Sequence, residues 1–471
     1  MRTRNLLLGI TAAALALIVL LLACGGGGGS GPGRGAGSPA TVSVTLSDPA
    51  TCSASSSGPY SNVWVTITDV QIHTSATAPD NDPNWVDLTP SLKNSPQQVD
   101  LLAAASNQCF LATLGTNSSL LPGTYQQIRI ILADSTNNLA NNHCGTAGAN
   151  CVILSPPNTP APQALSLSSE SRTGIKIPSG QIAGGKFTVN SGDTKDLNIN
   201  FDTCASIVAQ STGQFRLKPV LHAGEVSLTP LNNQFVNGKL VDKTTNQPIV
   251  GGKSIVALEQ KDANGVERVI MQTTPDNNGA FAFCPVPVGT YEVVAVAVNG
   301  SNVAYAATIT TGVQPGSALG NVPMTPVSGT STAPATITGD VTTVNASNSA
   351  TGADILLSAL ESVTINSSPV NFTIPVSSQS ATLSLITPCT TPCYTLSLPP
   401  VNPTVGAFLS TGTTYTAGAA GNANYMIEGQ AFVPQSGGTA DCTPPVKTAP
   451  AVSVSAGTST AASTLAFSGC Q

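Results

Sequence analysis

Apolar residues at every second position, repeated along much of the chain, limit its fold more than any other feature. The stretch T-V-S-V-T-L sets Val42, Val44 and Leu46 on one side of an extended backbone. Q-I-R-I-I-L does the same with Ile128, Ile130 and Leu132 and turns Arg129 the other way, and D-L-N-I-N-F does so with Leu197, Ile199 and Phe201. Successive side chains of a strand point to opposite faces, so this period describes half-buried antiparallel strands. In V-W-V-T-I-T-D-V-Q-I-H the phase holds through Val63, Val65 and Ile67, then slips to Val70 and Ile72, as a β-bulge requires. Short strands at regular spacing predict a sandwich or barrel. Composition agrees: charged residues are 8% of 471, against ~25% in an average soluble domain, and Thr, Ser, Asn, Val and Gly take their place. Scarce charge with many β-branched residues argues against disorder. A hydrophobic share of 41% supplies several cores, about three at ~150 residues each. The net charge of −6 is thinly spread with no basic patch, which argues against nucleic acid as a partner.

The N-terminus is built differently. Arg2 and Arg4 precede an apolar run, Leu6 to Leu22, that ends Leu21-Leu22-Ala23-Cys24 and passes straight into five glycines. A positive start, an apolar stretch and a small residue at the cut describe a signal peptide. An uncleaved membrane span is the alternative, and the run is slightly short for one. The order Leu-x-Ala-Cys resembles the lipobox of bacterial lipoproteins. That resemblance implies cleavage before Cys24 and acylation of Cys24, with palmitate as a typical acyl group, so residues 1–23 are expected to be removed. Gly25 stands where an aspartate retains proteobacterial lipoproteins in the inner membrane, which points to the outer membrane. Residues 24–39 are rich in Gly and Ser and read as a flexible tether with a reach of ~20 Å. Two or three acyl chains anchor durably where one does not.

Without Cys24, ten of the 11 cysteines remain, an even number in a chain with an export signal, which favours disulfides over metal sites. Cys144 with Cys151 and Cys389 with Cys393 read as local staples, and Cys442 and Cys470 can tie down the end of the chain. Cys284 stands alone in the middle segment, either bridging segments or free. Pairing of Cys52, Cys109, Cys204 and Cys284 stays open.

Residues 40–228 carry Y-S-N-V-W-V-T-I-T-D-V-Q-I-H (60–73), W-V-D-L (85–88), P-G-T-Y-Q-Q-I-R-I-I-L (122–132), I-K-I-P-S-G (175–180) and N-F-D-T-C-A-S-I-V (200–208). In these motifs the segment resembles an uncharacterised family of bacterial lipoprotein domains, a domain-of-unknown-function family. Q-Q-V-D-L-L and G-Q-F-R-L-K-P-V-L-H-A-G-E-V resemble its acidobacterial members. The resemblance implies a β-sandwich and no activity. Residues 234–325 carry N-G-K-L-V-D-K-T-T-N-Q-P-I-V-G-G, D-N-N-G-A-F-A-F and P-V-G-T-Y-E-V-V-A-V-A-V, and resemble the carboxypeptidase-regulatory-like, transthyretin-like domain, a sandwich with a carbohydrate-binding-like fold and no peptidase chemistry. Asn278-Gly279 signals a hairpin. Gly-Thr-Tyr occurs at 123–125 and at 289–291, with Gly turning the chain and Tyr starting a strand. After a Ser/Thr/Pro/Gly linker at 328–334, residues 335–471 read as a third sandwich. The expected architecture is all-β: tandem antiparallel β-sandwiches behind a cleaved lipoprotein signal and a Gly-rich tether.

Chemistry is sparse. His73, His143 and His222 stand far apart and read as surface or capping residues. H-E-x-x-H, G-x-S-x-G and the P-loop pattern are missing. D-N-D-P-N-W places Asp80, Asp82 and Asn84 at alternate positions, like the first half of a calcium loop, but the loop's glycine and terminal glutamate are missing and turns use the same residues. Trp64 and Trp85 are the two tryptophans, few for a sugar-binding face. No cofactor is expected. The leading reading is a non-catalytic envelope lipoprotein that serves as a structural, adhesion or binding scaffold, with the membrane, and an envelope protein or glycan, as partners. A carbohydrate-binding lipoprotein is the alternative, and a hydrolase built from dispersed loop residues is the second.

Overall fold

The computed structural model describes residues 38–470, except 49–59, 104–108, 136–138, 156–160, 168–170, 212–213, 228–233, 377–380, 386–388, 433–441 and the single positions 77, 110, 140, 172, 219 and 251. The signal segment, Cys24 and most of the tether lie outside the described residues. Residues 38–471 form one compact unit. It is all-β, and no described helix exceeds four residues.

The first segment is two sheets with a common core. A four-stranded sheet runs Leu221–Val226, Thr194–Phe201, Ala40–Ser47, Ala112–Leu120. A nine-stranded sheet is built around the long strand Tyr60–His73, with Gln127–Leu132 and Cys151–Leu154 beside it. Val42, Val44 and Leu46 from the first sheet meet Val63, Val65, Ile67, Ile128 and Ile130 from the second, all buried. The phase slip is a bulge: pairing with Gln127–Leu132 shifts between Ile67 and Asp69. Period two defines faces and not partners, and here the sheet is mixed, because Ala40–Ser47 runs parallel to Thr194–Phe201.

On the two central strands of the four-stranded sheet, several polar alternates do not face water. Thr45, Ser47, Asn198 and Asn200 are buried. Ser47 donates to Asn198 Oδ1 at 2.8 Å, and Asn198 Nδ2 donates to Thr45 Oγ1 at 3.0 Å. The middle segment covers this face. Pro285 and Pro287 lie near Asn198 and Gly224, and a β-carbon on Gly224 would come within 2.6 Å of Pro287. The Val288 N–H donates to Glu225 O at 3.0 Å, and Cys109–Cys284 bridges the two segments. The other described disulfides are local, Cys144–Cys151, Cys389–Cys393 and Cys442–Cys470.

Middle and C-terminal segments share a twelve-stranded sheet. Val266–Thr273 pairs in parallel with Ser368–Ile374, and Thr308–Val313 in parallel with Thr404–Ala407. Hydrogen bonds of one sheet therefore cross the linker at 328–334 twice. A three-stranded sheet, Ala280–Phe283, Val236–Asp242 and Ala318–Met324, closes the middle core over Val256, Leu258, Val293 and Ala295. Small sheets from Ala335–Gly339 and Val341–Thr343 close a second core, where Ile337, Leu396 and Phe467 meet Ile355, Leu357 and Ile427.

Two turn signals resolve differently. Asn278-Gly279 makes a turn but not a hairpin, since Val266–Thr273 stays in the large sheet while Ala280–Phe283 pairs with Val236–Asp242. The Asp276 carboxylate accepts from the N–H groups of Asn278 and Ala280 (both 2.8 Å), and Gly279 takes φ +76° with Leu240 O close by. The repeated Gly-Thr-Tyr is a hydroxyl clasp. Tyr125 donates to Leu121 O and Tyr291 to Pro287 O, each at 2.8 Å and each four residues back. Tyr291 starts its strand, while Tyr125 ends the short strand Gly123–Tyr125.

A buried ion pair ties the first segment to the last. Arg216 (5% exposed) grips Asp354 (3%) with both terminal nitrogens, Nη1 to Oδ2 at 2.6 Å. Removing one partner leaves a buried charge, which costs ~3–5 kcal/mol. Arg216→Leu should lower the unfolding free energy measured in urea by that much, and Arg216→Leu with Asp354→Leu should recover most of it. Tyr291→Phe should cost ~1–1.5 kcal/mol in the same assay, because it strands a buried carbonyl.

Candidate functional site

The three segments meet around a cleft of about 330 Å³, within the size range of small-ligand pockets and in the inter-segment position such pockets favour. The first segment supplies Asp202, His222 and Gln181; the middle, Asp262, Asn264, Arg268 and Gln272; the last, Ser358, Glu428 and Gln430. Leu356, Ile374, Val376 and Val446 add apolar wall.

Arg268 is the fixed point. It alternates with Glu267 along Val266–Thr273, so one side chain enters the cleft and the other goes behind the sheet. Its Nη1 and Nη2 donate to Glu428 at 2.5 and 3.2 Å, and its Nε donates to Asp262 at 3.0 Å. Burial works against the guanidinium charge, but Glu428 and Asp262 outweigh it and hold Arg268 above its usual value. Asp262 is desolvated too, yet the N–H groups of Val266 and Asn264 together with Arg268 hold its carboxyl below the usual range. The wall is thus a salt-bridged frame between carboxylates, fringed by amide side chains that can both donate and accept.

His222 is half-buried on the opposite wall. Burial pushes its imidazole down to about 4, so the ring is neutral at pH 7, and its Nδ1 has no hydrogen-bond partner among the described residues. A base that weak is poorly matched to proton transfer near neutrality.

Behind the cleft wall the large sheet carries glutamates. Glu259 and Glu267 are buried, as is Glu361, and Glu292 is half-buried. Neighbouring-strand register puts Glu292 opposite Glu259, and Glu361 opposite Phe372, which pairs with Glu267. The sequence reading missed them. A signal was present: A-L-E occurs at 257–259 and again at 359–361, a charge in the core-facing phase of a strand in a chain with few charges.

The acidic turn is taken up locally. Asp80 pairs with Lys176 Nζ at 2.5 Å, while Asp82 Oδ1 accepts from the backbone and side-chain nitrogens of Asn84 at 2.9 and 2.8 Å. Those bonds, the backbone one foremost, pull the Asp82 carboxyl below its usual value. Among the described residues, no three His, Cys, Asp or Glu side chains are grouped to hold a metal. His73 is buried rather than on the surface; its Nδ1 accepts from the Ser75 N–H, so it caps the turn. Both tryptophans are half-buried with one face covered. His143 stacks on Trp64 at 3.9 Å and 4°, and the Arg129 guanidinium lies 4.1 Å from the Trp85 ring.

No curated protein matches the chain. Among solved structures, it is similar to the Bacillus anthracis TIE protein (11% identity, 91% of this chain and 51% of that one, TM-score 0.16) and spans about half the length of that protein. It is also similar to the minor pilin GBS52 of Streptococcus agalactiae (10%, 50% and 95%, TM-score 0.16) and to two B repeat units of the collagen binding protein of Staphylococcus aureus (11%, 91% and 99%, TM-score 0.17). Scores this low carry no argument about function. Residues 39–219, under half of the chain, match the family model described as Domain of unknown function (DUF4382).

Proposed function

We propose that this protein is a lipid-anchored envelope protein whose β body is a non-catalytic binding scaffold, with the three-segment cleft as its binding site. One observation carries the reading: each segment is fastened to both others. Cys109–Cys284 links first to middle, Arg216–Asp354 links first to last, and a common sheet links middle to last. Such cross-linking suits a body that must hold a surface in shape. The cleft fits the same role, because its charged groups are locked to one another and His222 is neutral. Anchorage rests on Leu21-Leu22-Ala23-Cys24 and on the Gly-rich stretch that follows. The outer membrane is the proposed site, from Gly25. Intact mass of the membrane-fraction protein should show a chain starting at Cys24 with acyl additions, and Cys24→Ala should move the protein to the soluble fraction. An uncleaved, unmodified N-terminus would end the lipoprotein reading.

A glycan is the second reading, and the cleft favours it over the tryptophans. Gln181, Asn264 and Gln430 sit beside Asp262 and Glu428, a set of donors and acceptors suited to hydroxyl groups, while each indole already has one covered face. On a glycan array, Gln430→Ala should then abolish any signal and Trp64→Ala should leave it intact. The reverse pattern would move the site to the tryptophan.

A further inference from the structure

The glutamates behind the cleft wall stand on one face of the large sheet and flank the seam where the middle and last segments pair: Glu267 on a seam strand, Glu259 and Glu361 one strand away on either side, and Glu292 one strand beyond Glu259. Residues opposite each other in a ladder share a face, as do residues two apart on a strand. Glu292 faces Glu259; two residues on, Lys261 faces Glu267; Glu267 is followed across the seam by Phe372, Glu361 and Tyr425. Glu259 is 0% exposed and Glu361 2%, and each has one carboxyl oxygen, Glu259 Oε1 and Glu361 Oε2, with no hydrogen-bond partner among the described residues. The other Glu259 oxygen accepts from the Thr373 N–H across the seam, and Thr373 Oγ1 donates back to Glu267 O at 2.7 Å.

Charge compensation on this face is thin. Lys261 lies 3.4 Å from Glu267 and is itself exposed. Arg268 points the other way, into its bonds with Glu428 and Asp262. Opposite Glu259 is therefore Glu292, with Glu267 on the diagonal, Lys261 on its own strand and Arg268 at a distance; facing Glu361 is Tyr425. An ionised carboxylate with a bare buried oxygen costs several kcal/mol, and a protonated one far less.

We propose that Glu259, Glu292 and Glu361 form a proton-operated lock on the seam: the seam closes over protonated side chains and loosens as they release protons to solvent. Burial dominates at all three, raising Glu292 to about 7, Glu361 to about 8 and Glu259 well above its usual value, with the charge of Glu267 adding to the first and last. The sign follows from linkage. Folded values above the unfolded value near 4.5 give stability that is complete below about pH 4.5 and is lost as pH rises through about 7 and then about 8. This is opposite to the usual acid lability of paired carboxylates. Thr373 and Ile374 also line the cleft, so the lock regulates the proposed binding site. That last step rests on the binding reading; the proton linkage does not.

The test is thermal melting of the full chain from pH 5 to 9 at fixed ionic strength. The midpoint should fall by several degrees, and Glu292→Gln with Glu361→Gln should flatten the slope. Glu225→Gln, on the four-stranded sheet, should leave it unchanged. Hydrogen exchange, corrected for intrinsic rates, should rise with pH in Ser368–Ile374 more than in Thr194–Phe201. If the double variant does not fold, infrared spectroscopy of the unaltered protein decides: protonated carboxyl absorption should persist at pH 6 and bleach by pH 9. A midpoint that rises with pH, a slope unchanged by the two glutamines, or no protonated carboxyl at pH 6 overturns the lock. Ligand binding enters none of these readouts, so loss of the binding reading and loss of the lock are separate results.

Discussion

A strand at the edge of a sheet exposes a row of unpaired N–H and C=O groups, and every exposed edge invites pairing with another chain. The middle segment's part of the large sheet has two such edges, Val266–Thr273 and Thr308–Val313. Both are taken by the last segment, through Ser368–Ile374 on one side and Thr404–Ala407 on the other. The last segment therefore brackets the middle one. The rest depends on that bracket: it carries the glutamates to a common face, brings Glu428 within reach of Arg268, and leaves the cleft where the first segment closes over the joint.

Charge follows the same plan. In a chain with 8% charged residues, ionic groups are free to be reserved for joints. Arg216–Asp354 and Arg268–Glu428 both span segments, and both use the planar guanidinium fork, which matches a carboxylate with two parallel bonds. Buried pairs of this kind add little net stability over apolar packing but penalise every arrangement that separates them. Lys218, next to Arg216, pays for the crowding: burial pushes its amine down to about 8, and the Arg216 charge adds to that.

Much of the strand pattern was legible in the sequence, because faces are a local property. Val42, Val44 and Leu46 are buried as a set, and the phase slip after Ile67 is a bulge. Partners are not local. Nothing within T-V-S-V-T-L says that its neighbour lies 150 residues on and runs parallel. Thr45, Ser47, Asn198 and Asn200 looked like solvent-facing alternates and are instead a bonded ladder under the middle segment. The cleft was illegible for the same reason. Arg268 and Glu428 are brought together by sheet register over 160 residues, with no motif in either neighbourhood. The glutamates were half-legible, since A-L-E in a strand is a local anomaly, but its meaning depends on the seam.

The position of Ala40–Ser47 has a mechanical consequence. It is the first described strand, and it lies inside its sheet, with Thr194–Phe201 on one side and Ala112–Leu120 on the other. A pull on Ser38 along the strand axis loads both ladders in shear, so many hydrogen bonds must fail together rather than one after another. Had the chain entered at an edge and been drawn sideways, it would have unzipped. A body held by its N-terminal end would thus receive tension through a strand gripped on both sides.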